Sequence, residues 1–84
     1  MSFSTNRRDA LDPALPLDHR ASHARSCAML VAQKWGITRN VVIETIFERC
    51  GVDLSALETD NQIVTAIAAL EDIRVNGIAA IGNA

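Results

Sequence analysis

Apolar residues recur at helical spacing in the stretch before Gly36. From about Ser22 onwards they fall at intervals of three and four residues, and they comprise Ala24, Cys27, Ala28, Val31 and Trp35. Serine is a favoured N-cap residue, and glycine commonly follows the last turn of a helix. The pattern therefore predicts a first helix over about residues 22–35.

A second amphipathic segment starts directly after this glycine. Thr38 is a suitable N-cap for it, and Gly51 is a suitable stop. One side of the segment is polar, and the other carries an apolar stripe formed by Val42, Ile43, Ile46, Phe47 and Cys50. Because several of these residues are β-branched and lower the intrinsic helix propensity, we expect tertiary packing to hold this second helix.

A third helix is predicted near the end of the chain, over about residues 60–75. The connector before it contains two candidate capping boxes, Ser55 with Glu58 and Thr59 with Gln62. An Asn-Gly pair ends the helical pattern. The helix has one apolar face, made of Ile63, Ala66, Ile67, Leu70 and Ile73.

The first 21 residues lack this helical period. Pro13 and Pro16 exclude a helix through the segment around them and disfavour a central strand. We therefore predict an N-terminal arm over residues 1–21, either an extended tail or a short strand, followed by a helical domain over residues 22–84. The last seven residues form a short apolar tail of that domain. The predicted fold is all-α or nearly so, with three helices.

The composition favours a small homodimer. The chain has 84 residues, of which 49% are apolar, and it contains one Trp, two Phe and no Tyr. Such a chain is too apolar for a disordered protein, yet a single domain of this size buries little surface and is marginally stable alone. We therefore expect one domain in an intertwined homodimer, joined through the first two helices.

The formal charge of −2 conceals an asymmetry along the chain. Residues 1–39 contain six basic and three acidic side chains, whereas residues 40–84 contain two basic and seven acidic ones. A basic half can face phosphate, and an acidic half can keep the protein in solution or meet a protein partner. The asymmetry is therefore compatible with nucleic acid at the front half of the chain.

Several functional classes are disfavoured. The start of the chain is polar, unlike a secretory signal peptide, and no apolar run approaches the roughly 20 residues that span a bilayer. We therefore expect a cytoplasmic protein without a membrane partner. The sequence contains no phosphate-binding loop, dinucleotide fingerprint or convincing catalytic Cys–His arrangement, so we predict neither an enzyme nor a bound cofactor.

The cysteines and histidines leave one alternative open. Cys27 and Cys50 fall on the apolar helix faces and are predicted to be free thiols. His19, His23 and Cys27 are spaced i, i+4, i+8, which brings them to one helix face as zinc or copper ligands if the helix begins before His19. Two surface histidines and a buried thiol are the simpler interpretation, and we predict no metal.

The stretch AQKWGITRNVVIETIF carries the most specific pattern in the chain. An alanine stands four residues before a glycine, a threonine follows two residues after it, and two apolar pairs come next. This pattern resembles the ribbon–helix–helix family of small DNA-binding regulators, and the resemblance covers about residues 14–52. The residues that carry it are Ala32, Gly36, Thr38, Val42, Ile43, Ile46 and Phe47.

The resemblance implies a particular mode of DNA binding. In that family, two chains pair one strand each into an antiparallel ribbon that enters the major groove. Here the strand would cover about residues 14–20 and would offer Arg20 to the DNA. The N-terminus of the second helix would grip a phosphate, with Thr38, Arg39 and Asn40 as the anchor.

Two other interpretations of the same residues stay open. An ordinary helix–turn–helix has similar spacing, and it would turn Arg39, Asn40 and Thr45 towards the DNA groove. Two helices that meet at a glycine also occur in helical bundles of every function. The sequence thus predicts a small DNA-binding regulator of either type. The alternative is a non-enzymatic helical interaction module, such as a small subunit, an adaptor or a phage- or plasmid-type inhibitor that docks on a larger protein.

Overall fold

Four α-helices make up the part of the chain that the computed structural model describes, residues 2–77. They are α1 (Phe3–Ala10), α2 (Leu17–Trp35), α3 (Arg39–Cys50) and α4 (Asp60–Asn76). Residues 2–77 contain no strand, which confirms the all-α class. The predicted apolar tail at 78–84 lies outside the described residues. None of the four helices is both long enough and apolar enough to cross a membrane.

The core lies between α2 and α4, which contact each other and both of the remaining helices. On α2 the buried side chains are mostly alanine, which lets the helices approach closely, and α4 supplies the long aliphatic side chains that fill the space between them. The apolar face that the sequence predicts for the helix over residues 60–75, which is α4 in the structure, is entirely buried. The buried apolar residues are Ala10, Ala21, Ala24, Cys27, Ala28, Val31, Ala32, Val42, Ile46, Val52, Leu54, Ile63, Ala66, Ile67, Leu70 and Ile73.

Local capping signals give α3 and α4 the ends that the sequence predicts. The Thr38 hydroxyl accepts a hydrogen bond from the Val41 N–H at 3.3 Å, and Gly51 follows α3 in the left-handed conformation. At the start of α4, Thr59 and Gln62 form the reciprocal capping box. The other candidate box, at Ser55, is wrong because no helix begins there.

The predicted N-terminal arm over residues 1–21 is wrong, because helices occupy most of it. α1 fills eight of these residues, and α2 begins five residues before the predicted N-cap Ser22. The two prolines act as expected, since residues 11–16 form the only break and Pro16 stands at the N-cap of α2, where no amide donor is needed. The described chain therefore has four helices rather than three.

The strand expected at residues 14–20 is also absent from the described chain. Residues 14–16 belong to a turn in which the Ala14 N–H donates to the Asp12 carboxylate at 2.9 Å. Residues 17–20 form the first turn of α2. A helix uses its backbone groups internally, so this segment has no strand to pair with a second chain in a DNA-binding ribbon.

Apolar periodicity does not predict α1 or the start of α2, because polar residues occupy inward-facing positions in both. Asn6 is only 1% exposed on α1, and Arg20 is only 6% exposed on α2. The Asn6 amide group donates to the Ser2 carbonyl at 3.1 Å, and its oxygen lies 3.0 Å from Nδ1 of His23. Because these polar atoms have partners, a polar side chain is stable where the helical period requires an apolar one.

Arg20 joins three parts of the fold. Its Nε donates to the carbonyl of Ala10, the last residue of α1, at 2.9 Å. Its terminal nitrogen donates to the carboxylate of Asp60 in the first turn of α4. The guanidinium therefore ties α2 to the end of α1 and to the start of α4.

The opposite end of the bundle is closed by the last two residues of α2. The Trp35 indole N–H donates to the Ile73 carbonyl at 2.9 Å, and the Lys34 ammonium donates to the Arg74 carbonyl at 2.7 Å. Both carbonyls belong to the last turn of α4, where carbonyl groups have few partners within the helix, and the Ile73 carbonyl also accepts from the Gly77 N–H at 2.8 Å. Trp35 thus serves as a cap on the core of its own chain, although 41% of its surface remains exposed.

Candidate nucleic-acid interface

The turn between α2 and α3 is fixed by a glycine. Gly36 has φ +66°, its N–H donates to the Gln33 carbonyl, and the next N–H, that of Ile37, donates to the Ala32 carbonyl at 3.0 Å. This pair of hydrogen bonds is a Schellman motif, which ends α2 and redirects the chain within three residues. The unit is therefore a helix, a three-residue turn and a second helix, as the helix–turn–helix interpretation requires.

The N-terminal end of α3 is open to solvent. Thr38, Arg39 and Asn40 are all exposed. The Thr38 side chain satisfies the third N–H of the helix, that of Val41, and the first two N–H groups have no partner within the helix. Free N–H groups and the helix dipole make this end favourable for an anion.

A surface pocket of about 190 Å³ lies beside this end of α3. It is lined by Ser22, Arg25, Ser26, Met29 and Arg39, which come from α2 and from the first residue of α3. We call this site the two-arginine pocket. Its lining holds two guanidinium groups, two hydroxyl groups and no carboxylate, which is a set of hydrogen-bond donors suited to phosphate.

The two arginines of this pocket differ from the other cations of residues 2–77. Neither Arg25 nor Arg39 forms an ion pair or a side-chain hydrogen bond in the described chain, whereas Arg49 has contacts of its own. Lys34 is held by a carbonyl and lies 5.3 Å from the Trp35 ring centroid. The remaining cations each lie within 4 Å of a carboxylate, and these are Arg7, Arg8, Arg20 and Arg74.

The structure divides the residues predicted to contact DNA into two groups. Thr38, Arg39 and Asn40 lie together at the exposed start of α3. Arg20 lies elsewhere, because its guanidinium is buried between α1 and α4, and we leave it out of the interface. Thr45 is half-buried, and its hydroxyl donates to the Val41 carbonyl one turn earlier at 2.8 Å.

Sequence reasoning missed the three polar residues that α2 contributes to the pocket, namely Ser22, Arg25 and Ser26. They are spaced i, i+3, i+4, so they share one face of a helix. Arg25 and Ser26 lie inside the helix predicted over about residues 22–35, but only the packing of α3 against α2 brings them beside Arg39. With the predicted start at Ser22, that serine is assigned to a cap instead of a helix face.

The alternative metal site is not assembled in the described residues. α2 does begin before His19, as the alternative requires, but Nδ1 of His23 already meets Asn6 and Cys27 is fully buried. No three His, Cys, Asp or Glu side chains of residues 2–77 come together as a metal site. His19 is exposed on the surface of α2.

We expect Cys50, and not Cys27, to react with an aromatic disulfide reagent in the folded protein. Burial, assisted by the Glu71 carboxylate, raises the pKa of the Cys27 thiol to about 12, so its thiolate is scarce as well as shielded. Cys50 is only half-buried. At pH 8 one thiol per chain should react quickly and the second only in denaturant, and Cys50→Ser should remove the fast reaction. Two fast thiols would show instead that the packing over Cys27 opens readily.

No family model matches this chain, and no curated protein or solved structure shows significant similarity to it. Function is therefore inferred from the geometry of the chain itself.

Proposed function

We propose that this protein is a small DNA-binding protein of helix–turn–helix type that holds a backbone phosphate at the N-terminal end of α3. The observation that carries the proposal is the two-arginine pocket. Two guanidinium groups without a counter-charge share one pocket and repel each other, and a phosphate placed between them removes that repulsion. The adjoining helix N-terminus favours the same negative charge.

Asn40 is the residue in this arrangement that is suited to a base edge. It is exposed in the first turn of α3, next to the pocket. In helix–turn–helix proteins the first residues of the second helix contact base edges, and asparagine pairs with adenine through two hydrogen bonds. We therefore assign the phosphate contact to Arg25 and Arg39 and the sequence preference to Asn40.

The charges of α3 restrict how it approaches DNA. Arg39 opens the helix, whereas Glu44 and Glu48 are exposed on its later turns. Carboxylates at those positions would be repelled by phosphate. The proposal therefore places only the first turn of α3 against the duplex and keeps the rest of the helix outside the groove.

The first test is the selection of bound duplexes from a random DNA pool, followed by affinity measurements at low and at physiological salt. Arg25→Ala and Arg39→Ala should each weaken binding to every duplex by about tenfold, since each removes a charge-assisted hydrogen bond. The slope of log Kd against log salt should fall by about 1 when the phosphate contact is lost. Asn40→Ala should instead reduce the difference between the selected duplex and a scrambled one.

Arg8→Ala is the matched control for these variants. It removes the same charge from an exposed position on α1, away from the pocket. DNA affinity should stay within about twofold of the original protein, since the lost charge is remote from the phosphate and is screened by salt. Equal losses in Arg8→Ala and Arg39→Ala would show nonspecific attraction. Undiminished binding by both pocket variants would contradict the proposed site.

The homodimer stays a prediction. A symmetric contact through α3 would bring Glu44 and Glu48 close to their copies, which is unfavourable, so we do not assign the dimer to α2 and α3. The selected DNA gives an independent measure of assembly. Two half-sites about one helical turn apart would show two copies on the duplex, and a single half-site would show one copy.

A further inference from the structure

A second surface of α3 combines apolar and acidic side chains. It is an open groove of about 310 Å³ lined by Ile43, Glu44, Phe47, Glu48 and Asp53, and we call it the acidic groove. Phe47 is 55% exposed, whereas Ile43 is partly buried against the core. The groove therefore has an apolar floor, three carboxylates around it and no cation in its lining.

The carboxylates of the acidic groove are not neutralised by any cation of the described chain. Glu44 and Glu48 stand one turn apart on α3, and neither forms an ion pair or a side-chain hydrogen bond within residues 2–77. Asp53 is held in a turn, because its carboxylate accepts from the Ser55 N–H at 2.8 Å and its carbonyl accepts from the Ala56 N–H at 3.0 Å. The C-terminal end of α3 adds negative potential beside Asp53.

The side chains of Glu44, Phe47 and Glu48 contribute little to the stability of the chain. Like charges four residues apart on a helix, such as Glu44 and Glu48, repel each other and destabilise it. A phenylalanine that leaves more than half of its surface in water contributes little to the core. An apolar floor under unpaired carboxylates is instead the complement of a cationic amphipathic segment.

We propose that the acidic groove binds a basic amphipathic helix of a partner protein. Apolar side chains at i, i+3 or i+4 and i+7 of that helix would pack on Phe47 and Ile43, as in other helix-in-groove complexes. Lysine or arginine residues beside them would pair with Glu44, Glu48 and Asp53. Phe47 would be the main anchor, because aromatic side chains that become fully covered dominate the energy of such interfaces.

The charge of the groove argues against a second copy of this chain as the occupant. A twofold contact across the groove would set its three carboxylates against the same three carboxylates. A basic segment of another protein gives attraction at every one of these positions. This inference does not depend on DNA binding, since the two-arginine pocket shares no residue with the acidic groove.

Two synthetic peptides test the proposal. One is an 18-residue helix former with leucine at i, i+3, i+4 and i+7 and lysine at the polar positions, and the other carries glutamate in place of lysine. The lysine peptide should bind the full chain with a micromolar Kd that weakens at least tenfold at high salt. The glutamate peptide should bind at least tenfold more weakly than the lysine peptide.

Matched variants locate the binding surface. Phe47→Ser and the double variant Glu44→Gln with Glu48→Gln should each weaken the lysine peptide about tenfold, and the double variant should unfold at the same denaturant concentration as the original protein or a higher one. Val75→Ser is the apolar control, because Val75 is 59% exposed on α4, and Glu58→Gln removes an exposed acid outside the groove. Both controls should bind within twofold of the original protein.

Four results would overturn the inference. The first is equal affinity for the lysine and glutamate peptides, which would indicate generic apolar adhesion. The second is binding by Phe47→Ser as tight as by the original protein. The third is a set of amide shift changes that map to α4 rather than to α3. The fourth is self-association of the free chain that Phe47→Ser abolishes, which would make a second copy the occupant.

Discussion

Replacing Arg20 with alanine is expected to lower the free energy of unfolding by about 3 kcal/mol. The change removes the donor that satisfies the Ala10 carbonyl, and it also removes the hydrogen bond to Asp60. The aliphatic part of the side chain packs in the interior, since only 6% of Arg20 is exposed, so its loss leaves space in the core. Urea unfolding followed by circular dichroism measures the effect.

The partner residue should be much less sensitive. Asp60 keeps 64% of its side chain exposed, so Asp60→Asn should cost about 1 kcal/mol or less because water and the amide oxygen replace the carboxylate. Arg20→Lys should recover only part of the loss, since one ammonium group lacks the fork of donors that reaches both Ala10 and Asp60. A loss below 1 kcal/mol for Arg20→Ala would show that α1 is not held through this guanidinium.

The parts of the fold that the sequence predicts are those with local signals. α3 is bounded by Thr38 and Gly51, whose capping preferences act within a few residues, and its observed ends agree with the prediction. α4 has the Thr59 capping box and an unbroken apolar face. These features depend on neighbours in the sequence, so no knowledge of tertiary packing is needed to find them.

The parts that the sequence does not predict depend on distant partners. Asn6 and Arg20 occupy buried positions only because His23, Ala10 and Asp60 supply hydrogen bonds across the fold. A periodicity search reads both residues as polar and therefore as outside the core. For this reason the sequence pattern does not predict α1 or the first turn of α2.

The candidate site depends on tertiary packing in a different way. The predicted helix over about residues 22–35 already contains Arg25 and Ser26, and it treats Ser22 as a cap. The pocket forms only because the turn at Gly36 brings Arg39 of α3 beside this face of α2. The sequence does predict the exposed start of α3, at Thr38, Arg39 and Asn40, because a helix cap is a local feature. Their neighbours on α2 can be assigned to the site only when the packing of α2 against α3 is known.

The connector between α3 and α4 should be the second most sensitive region, through Leu54. Leu54 is completely buried although it lies in no helix, and Val52 beside it is 7% exposed. Leu54→Ala should lower the free energy of unfolding by about 3 kcal/mol, since it removes buried apolar surface and leaves a cavity. A protein of this size has a total stability of only about 4–13 kcal/mol, so this loss is a large fraction. Leu57→Ala is the matched control, and it should cost about 1 kcal/mol because Leu57 is only partly buried.

A local measurement separates this anchoring role from a general loss of stability. The Ser55 and Ala56 N–H groups are both bonded to Asp53, so their hydrogen exchange reports whether the turn next to Leu54 stays closed. In Leu54→Ala these amides should exchange faster than the fall in global stability alone explains, and those in the middle of α2 should not. Because Asp53 is one of the carboxylates of the acidic groove, the same variant should weaken the lysine peptide under conditions in which it remains folded. Unchanged exchange at Ser55 and Ala56 would mean that the turn is held by its own hydrogen bonds, and the groove would then keep its shape without Leu54.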